Sequence, residues 1–437
     1  MRYKSYKNYK SSNVNYLPEF PSEWNIMNMK YLISNIQTGS TPSTKNQDYF
    51  NGNIQWFTPG DFKEQFLIEA NKKITETAIR DNEAKLLGSG TVCIVGIGAT
   101  LGKVAILKEE SSFNQQITGI NTNEKLNNRY LYYWLLDNNE RINKIANYTT
   151  LPIINNEFLK NLKVLVPAIE EQEKIVEFLD KKSSEIDDLI EEKRKLIKLL
   201  KEKREAIITE SVTKGVDKNV KMKNSGVEWI GKIPWDWQIS KIKYITNINQ
   251  NTLSENQNKD FRFKYVDIGS VNSFGEFGCL EEMSFEKAPS RARRKIKDGD
   301  TIISTVRTYL KAISSFKNIE NENIICSTGF AVLTPTNKIN SEYLALWVRN
   351  QKFINEIVRR SKGVSYPAIT AKEIGDIEII LPSNEEQQNI SNYLDEKLSN
   401  IRECIDLIYK EIDNLKVYKS SLITEVVTGK IDVRNKV

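Results

Sequence analysis

The spacing of apolar positions changes along the chain, and two stretches stand apart. In residues 381–432, Leu394, Leu398, Ile401, Ile405, Ile408, Ile412, Leu415 and Leu422 recur at alternating steps of four and three, with Lys419 in the one gap. In residues 166–217 the same steps fall on Leu179, Ser183, Ile186, Ile190, Lys193, Ile197, Leu200, Arg204 and Ile207. That period is the a/d seam of a coiled coil, which buries one narrow stripe against a partner helix. The first seam carries Ser183, Lys193 and Arg204 and is the weaker. The two helices are expected to pack on each other, Ile186, Ile190, Ile197 and Leu200 against Ile401, Ile405, Ile408, Ile412 and Leu415. Pro167 and Pro382 follow short apolar strands and are placed in the first helical turns, where a missing N–H costs nothing. Glu170-Glu171 and Glu385-Glu386 lie near the positive dipole ends and read as helix-start residues, not catalytic acids. Gly215 and Gly429 stand where the helices should stop. Each helix spans roughly 40 residues, about 60 Å at 1.5 Å per residue.

Outside these stretches the pattern shortens. Around residues 91–107, two β-branched runs flank a glycine-rich turn, and residues 300–315 hold the equivalent place further on. A helix is expected to follow each, over 129–145 and 342–359, with Tyr, Leu and Trp at helical spacing that suits a core. The class is mixed α/β (α+β), with many short strands in two globular parts.

A duplication organises the whole. VPAIEEQEKIVEFLD, starting at Val166, matches LPSNEEQQNISNYLD, starting at Leu381, and the register holds without a gap to Asp217 and Asp432. Further anchors repeat at nearly the same offset: Pro21 and Trp24 with Pro234 and Trp237, Lys30-Tyr31 with Lys243-Tyr244, and Tyr130, Leu131 and Trp134 with Tyr343, Leu344 and Trp347. Pro and Trp anchors outside the helices exclude a chance coiled-coil match. The expected division is 1–165, a first globular domain; 166–217, a central helix; 218–380, a second domain; and 381–437, a closing helix.

Composition removes whole classes of chemistry. The chain has 437 residues and no histidine. Ser-His-Asp and Cys-His catalysis and histidine metal ligation are therefore excluded. Cys93, Cys279, Cys326 and Cys404 are scattered, with no CxxC pair, and are expected to be reduced thiols. No apolar segment follows the basic N-terminus as in a secretory signal, and no run reaches a membrane span. A cytoplasmic protein without membrane contact is the expectation. The net charge of +6 is unremarkable until it is divided. Residues 166–217 carry net −3 and residues 381–432 net −4, which leaves about +13 on the globular parts. Segregated positive charge is an electrostatic signature of nucleic-acid binding.

Candidate contact residues follow from that asymmetry. Gly96, Gly98, Gly102 and Lys103 imitate a phosphate loop, but Ile97 and Val104 occupy positions that need Gly and Ser/Thr. The segment reads instead as a tight hairpin presenting Thr100 and Lys103. The basic run Arg291, Arg293 and Arg294 is denser. Arg307, Tyr309 and Lys311 are expected on a strand at alternate positions, so that all three face one side. Arginine can bind guanine bidentately and lysine more often meets phosphate. The polar loop with Lys362, Ser365 and Tyr366, and its counterpart with Thr149 and Thr150, precede the strands into the helices. Loops on rigid scaffolds are where specificity resides. Lys45, Gln115 and Gln116 complete the candidate contacts. No catalytic or metal-ligating constellation is found.

These features together resemble the specificity subunits of type I restriction–modification enzymes. The resemblance rests on SGVEWIGKIPWDW ending at Trp237 and its degenerate copy ending at Trp24, on GSTPSTKNQDYFNGNIQWFTPGD from Gly39, and on GATLGKVAI from Gly98. It rests further on APSRARRKIKDGDTIISTVRTYLKA from Ala288, CSTGFAV from Cys326, GVSYPAI from Gly363 and the two EEQ helix starts. It implies two target-recognition domains, each reading half of an asymmetric, split double-stranded DNA target. It also implies an antiparallel helix pair that fixes the gap in a pseudo-twofold molecule. Two methyltransferase subunits would dock near the helices and carry S-adenosylmethionine, none being bound by this chain. They would flip the target adenine, and motor–nuclease subunits would join for restriction. Two other classes fit the residues alone: a stand-alone DNA-binding scaffold, and a coiled-coil interaction protein whose basic loops bind something else.

Overall fold

The computed structural model describes residues 3–14, 17–146, 153–272, 275–278, 280–319, 322–363 and 365–436. The chain forms two compact units, one of Met1–Glu192 with Lys410–Val437 and one of Lys193–Tyr409. Each unit takes in part of both long helices, Ile169–Lys214 and Asn384–Val427.

The two units repeat one topology. In the first, a sheet runs in the order Ile33–Thr38, Ile117–Thr122, Val92–Val95, Val104–Leu107, Phe66–Leu67. In the second, Thr246–Ile248, Phe330–Pro335, Thr301–Ser304 and Ile313–Ser315 follow in the same order. Their central strands are buried on both faces, as continuous apolar runs require. A second sheet joins parallel strands in each unit, Ser112–Phe113 beside Phe50–Phe57 and Ile324–Ser327 beside Arg262–Val266. The strand before each long helix pairs antiparallel with one after the repeated tryptophan: Lys163–Val166 with Asn25–Asn28, and Glu378–Leu381 with Gln238–Lys241.

The EEQ helix starts have a physical reason. Gln172 is fully buried; its Nε2 donates to the carbonyls of Lys125 and Pro167 at 3.0 and 2.9 Å, and its Oε1 accepts from the Asn127 amide at 2.8 Å. Asn127 in turn caps helix Asn128–Asp137. Gln387 repeats this, donating to Pro382 and accepting from Asn340, the cap of helix Ser341–Trp347. One glutamine thus ties each long helix to the aromatic helix of its domain. The two prolines stand one residue outside the caps: Ala168 and Ser383 accept the first helical amide bonds. Gly215 and Gly429 follow the helices with φ of +83° and +73°, the left-handed stop that glycine adopts without strain. Gly429 lies against Pro21 and Trp24, and Gly215 against Trp237, which explains the repeated Pro and Trp anchors.

The aromatic helices expected over 129–145 and 342–359 are each two helices, because Asn138 and Asn350 interrupt them; Asn350 caps the second one of its pair, Gln351–Arg360. On the long helices, Ile186, Ile190 and Ile412 are buried within the first unit, with Leu415 partly so; Ile197, Ile401 and Ile408 are buried within the second, with Leu200 and Ile405 partly so. In the first unit Ile175 and Leu179 share a core with Leu422 and Val426, and Asp187 pairs with Lys419. In the second, Ile208 and Val212 share a core with Ile390 and Leu394, and Lys201 meets Tyr409. In both units rising numbers on one helix face falling numbers on the other, so the helices run antiparallel. The polar seam residue Lys419 therefore carries an ion pair across the helix pair, 2.6 Å from Asp187.

Candidate nucleic-acid interface

In the second unit, strands Thr301–Ser304 and Ile313–Ser315 form a hairpin whose tip holds Arg307, Tyr309 and Lys311. The tip is not a strand. Thr308–Leu310 make one 3-10 turn, and Arg307 and Lys311 on either side have φ of +51° and +53°. The expected alternation therefore fails, and the three side chains do not share a face. Lys311 turns to the scaffold, its Nζ 3.0 Å from Gln351 Oε1 and 3.9 Å from Glu205. Arg307 and Tyr309 remain at the tip, with Tyr309 53% exposed.

The loop 361–369 runs beside this tip. Arg307 N donates to Pro367 O at 2.8 Å, Ile369 N to Thr305 O at 2.8 Å, and the hydroxyls of Thr308 and Ser361 meet at 2.9 Å. The Arg307 guanidinium lies 5.1 Å from the Tyr366 ring centroid. Tyr366 is 66% exposed, and Ser365 and Lys362 are also exposed, Lys362 Nζ standing 3.7 Å from Glu373. Arg307, Tyr309, Lys362, Ser365 and Tyr366 thus form one surface, with a stacked guanidinium and two open phenol rings.

The first unit builds the same frame from different residues. Its hairpin turn joins Val92–Val95 to Val104–Leu107, and Gly98 and Gly102, at φ of +104° and +82°, stand where Arg307 and Lys311 stand in the other unit. Leu101 N donates to Gly98 O at 3.0 Å as Leu310 N donates to Arg307 O at 2.9 Å. Ile97 bridges Ile153 as Val306 bridges Ala368. Thr100 is the counterpart of Tyr309. Gln116 Nε2 approaches Ile97 O at 3.5 Å, and exposed Gln115 accepts from Thr41, which shares its loop with exposed Lys45. Lys103 is exposed and reaches Phe62 O at 3.4 Å. Thr149 and Thr150 lie outside the described residues. The sequence reading missed Thr41, Ile97 and Ile153 at this tip. Gly98 and Gly102 were the available signal, since glycines opposite Arg307 and Lys311 mark left-handed backbone.

The basic run is dispersed. Ala292–Lys295 is a strand of the second sheet, bulged between Ala292 and Arg294. Arg293 lies 5.1 Å from the Phe285 ring and Arg294 approaches Thr252 at 3.5 Å. Only Arg291 joins the hairpin side: its carbonyl accepts from Thr328 N, and Thr305 N donates to Gly329 O in the same turn. Among the described residues no group of three or more Cys, Asp or Glu side chains could hold a metal ion.

A duplicated α/β domain with a hairpin tip on each copy, tied to an antiparallel helix pair, has the architecture of a two-part recognition protein. The family described as the type I restriction modification DNA specificity domain matches twice, at residues 21–199 and 234–416, and the chain belongs to that family. The type I restriction enzyme MjaIX specificity subunit of Methanocaldococcus jannaschii is 25% identical over 433 residues, covering 95% of each chain. The EcoR124I/EcoR124II specificity subunit of Escherichia coli is 29% identical over 187 residues, 41% of this chain and 45% of that one. Among solved structures, a chain from work on complex assembly and conformational transition of the type I R-M system superposes with a TM-score of 0.70 at 15% identity, over 94% of this chain and 99% of that one. The HsdS subunit from Thermoanaerobacter tengcongensis superposes with a TM-score of 0.54 at 16% identity, over 94% and 98%. The chain is a non-catalytic DNA specificity protein of mixed α/β fold. No described helix is long and apolar enough to cross a membrane.

Proposed function

We propose that each hairpin tip and the loops beside it read one half of an asymmetric, bipartite double-stranded DNA target, and that the helix pair fixes the gap between the halves. The observation that carries this reading is one backbone frame used twice with different side chains. Gly98 and Thr100 stand where Arg307 and Tyr309 stand, so the two tips present unlike groups in like positions. Phosphate contacts by Lys45, Lys103 and Lys362 supply salt-dependent affinity, and base edges are read by Arg307, Tyr366, Thr100, Gln115 and Gln116. Arg307, stacked on Tyr366, has its fork held for a bidentate contact with guanine. Two methyltransferase subunits dock on the helix pair, bring S-adenosylmethionine and modify the adenine; motor–nuclease subunits join them for restriction in the cytoplasm. The test is co-expression with type I methyltransferase subunits from the same source, followed by single-molecule mapping of methyladenine. A bipartite, asymmetric methylated motif is expected. Specific DNA binding with no methyl mark would instead identify a stand-alone binder.

A further inference from the structure

The duplication matches three acidic residues of the first unit to three of the second, and only the first set holds a cation. In the first unit Glu23, Glu171 and Asp432 surround Arg434, whose guanidinium stands 2.9 Å from Glu23, 3.8 Å from Glu171 and 2.8 Å from Asp432. Arg434 also lies 4.9 Å from the Tyr6 ring centroid. Tyr6 donates to Glu171 at 2.6 Å and meets Trp24 edge-on, with ring centroids 5.6 Å apart. Tyr6 and Glu171 are both buried. Two stretches of chain build this arrangement, one before Tyr9 and one after Gly429, bridged at Lys4 and Asp432.

The second unit keeps the frame and lacks the filling. Glu386 matches Glu171, Asp236 matches Glu23, Asp217 matches Asp432 and Trp237 matches Trp24. Here the chain passes once: it turns at Lys218-Asn219, straight from the central helix into strand Met222–Asn224. Asn219 stands 213 residues after Tyr6 and 215 before Arg434, so one residue takes the place of both and neither side chain is supplied. A groove of about 540 Å³ is open instead, lined by Asp217, Trp235, Asp236, Trp237 and Glu386 among others. Glu386 is half-buried, and Asp217 and Asp236 are exposed. None of the three carboxylates has an ion pair; Asp217 accepts from its neighbour Asn219 N at 2.9 Å. Of the lysines on the groove, Lys214 pairs with none of them, and Lys221 lies over the ring of Trp235 at 4.5 Å.

We propose that this groove docks an extended peptide segment of a protein partner, whose arginine takes the place that Arg434 has in the first unit. The charge complementarity is drawn from the molecule itself, since the matched carboxylates of the first unit hold a guanidinium. Carboxylates gathered round one groove repel one another. A guanidinium offers five N–H donors in one plane, so it meets several carboxylate oxygens at once and stacks on an aromatic ring. Trp235 and Val220, both exposed on the groove, give the rest of the segment an apolar surface. In the first unit Ser22 holds the position of Trp235. This site is independent of the DNA-reading proposal, which concerns other loops.

The test uses the full chain and, as probe, a fluorescently labelled peptide of residues 430–436, KIDVRNK, followed by anisotropy, with thermal melting to check that each variant folds. Saturable binding at one site is expected. Asp236→Asn and Glu386→Gln should each weaken it by about tenfold or more, and so should glutamine in place of arginine in the peptide. Asn219→Arg returns a guanidinium to the chain itself. It should raise the melting temperature and exclude the peptide while all three acids stay in place. Loss of binding in these variants assigns the peptide to the second unit, and not to exchange with the chain's own tail in the first. Binding that persists in all three variants, or free arginine amide binding as tightly as the peptide, overturns the proposal.

Discussion

At the scale of single residues, Arg307 holds the sharpest tension. A non-glycine residue in left-handed backbone costs about 1–2 kcal/mol, and such strain gathers at functional sites. Its stacking on Tyr366 returns only about 0.5–1 kcal/mol at an exposed position. The position is therefore not explained by stability. Arg307→Gly and Arg307→Ala both remove the guanidinium, but only glycine removes the strain. In urea unfolding the glycine variant is expected to exceed the alanine variant by about 1 kcal/mol. Methylation mapping should show both variants relaxing the same half-site and leaving the other intact. Equal relaxation of both half-sites would sink the assignment of one tip to one half-site. The sequence misled here for a physical reason: Arg307, Tyr309 and Lys311 alternate between β-branched and apolar residues, which is the mark of a strand. Whether a residue turns left-handed depends on the hairpin frame and on Pro367 beside it, and neither is visible in local spacing.

At the scale of elements, the long helices were legible because a narrow stripe with a fixed period is recorded in the residues themselves. Their attachment was less so. The EEQ motif read as dipole-favoured carboxylates, whereas the buried glutamine does the tying. Gln172→Leu leaves the carbonyls of Lys125 and Pro167 and the amide of Asn127 short of a partner. Its expected cost is about 2–4 kcal/mol in urea unfolding, since buried unsatisfied groups carry their full desolvation penalty. Gln387→Leu should act alike on the other unit. The break of each aromatic helix at an asparagine was also unread, although its cause is local: Asn138 Nδ2 donates to Trp134 O at 2.8 Å, and Asn350 Oδ1 accepts from Phe353 N at 3.0 Å. Helix Gln351–Arg360 carries a pH-dependent element. Arg359 and Arg360 hold buried Glu356 at 2.6–2.8 Å, and hydrogen bonds from Arg359 first, opposed by burial, keep its carboxyl below the usual range. A depressed carboxyl stabilises above its unfolded value, near 4.3, and loses that contribution as pH falls through its folded value. Unfolding midpoints measured from pH 6 down to pH 3 should fall more steeply for the wild type than for Glu356→Gln. Parallel curves would show that the pair contributes nothing.

At the scale of the whole molecule, the duplication is more informative than any motif, because it separates what the fold needs from what the target needs. Residues kept in both copies, such as the tryptophan anchors, the capping asparagines and the clamping glutamines, build the frame. Residues that differ at matched positions are free to specify. Inserting four residues in the central helix, about one turn or 6 Å, is expected to change the gap of the methylated motif while both half-sites stay the same. An unchanged gap would refute the role of the helices as a ruler.

The two units also differ in how the chain closes them. The second is one unbroken stretch, Lys193–Tyr409. The first needs both ends: Lys4 bridges Asp432, Tyr9 donates to Gly429 O at 3.0 Å, Arg434 pairs with Glu23 at 2.9 Å, and Trp24 packs on Gly429. During synthesis the early residues must therefore wait for the last ones, while the later half has all its parts in hand sooner. Domains ordinarily fold in the order in which they are made, but the core of the first unit is complete only once residues 410–437 have been added. The half that leaves the ribosome first is thus expected to keep apolar surface uncovered until Leu422, Ile423, Val426 and Val427 arrive to join its core.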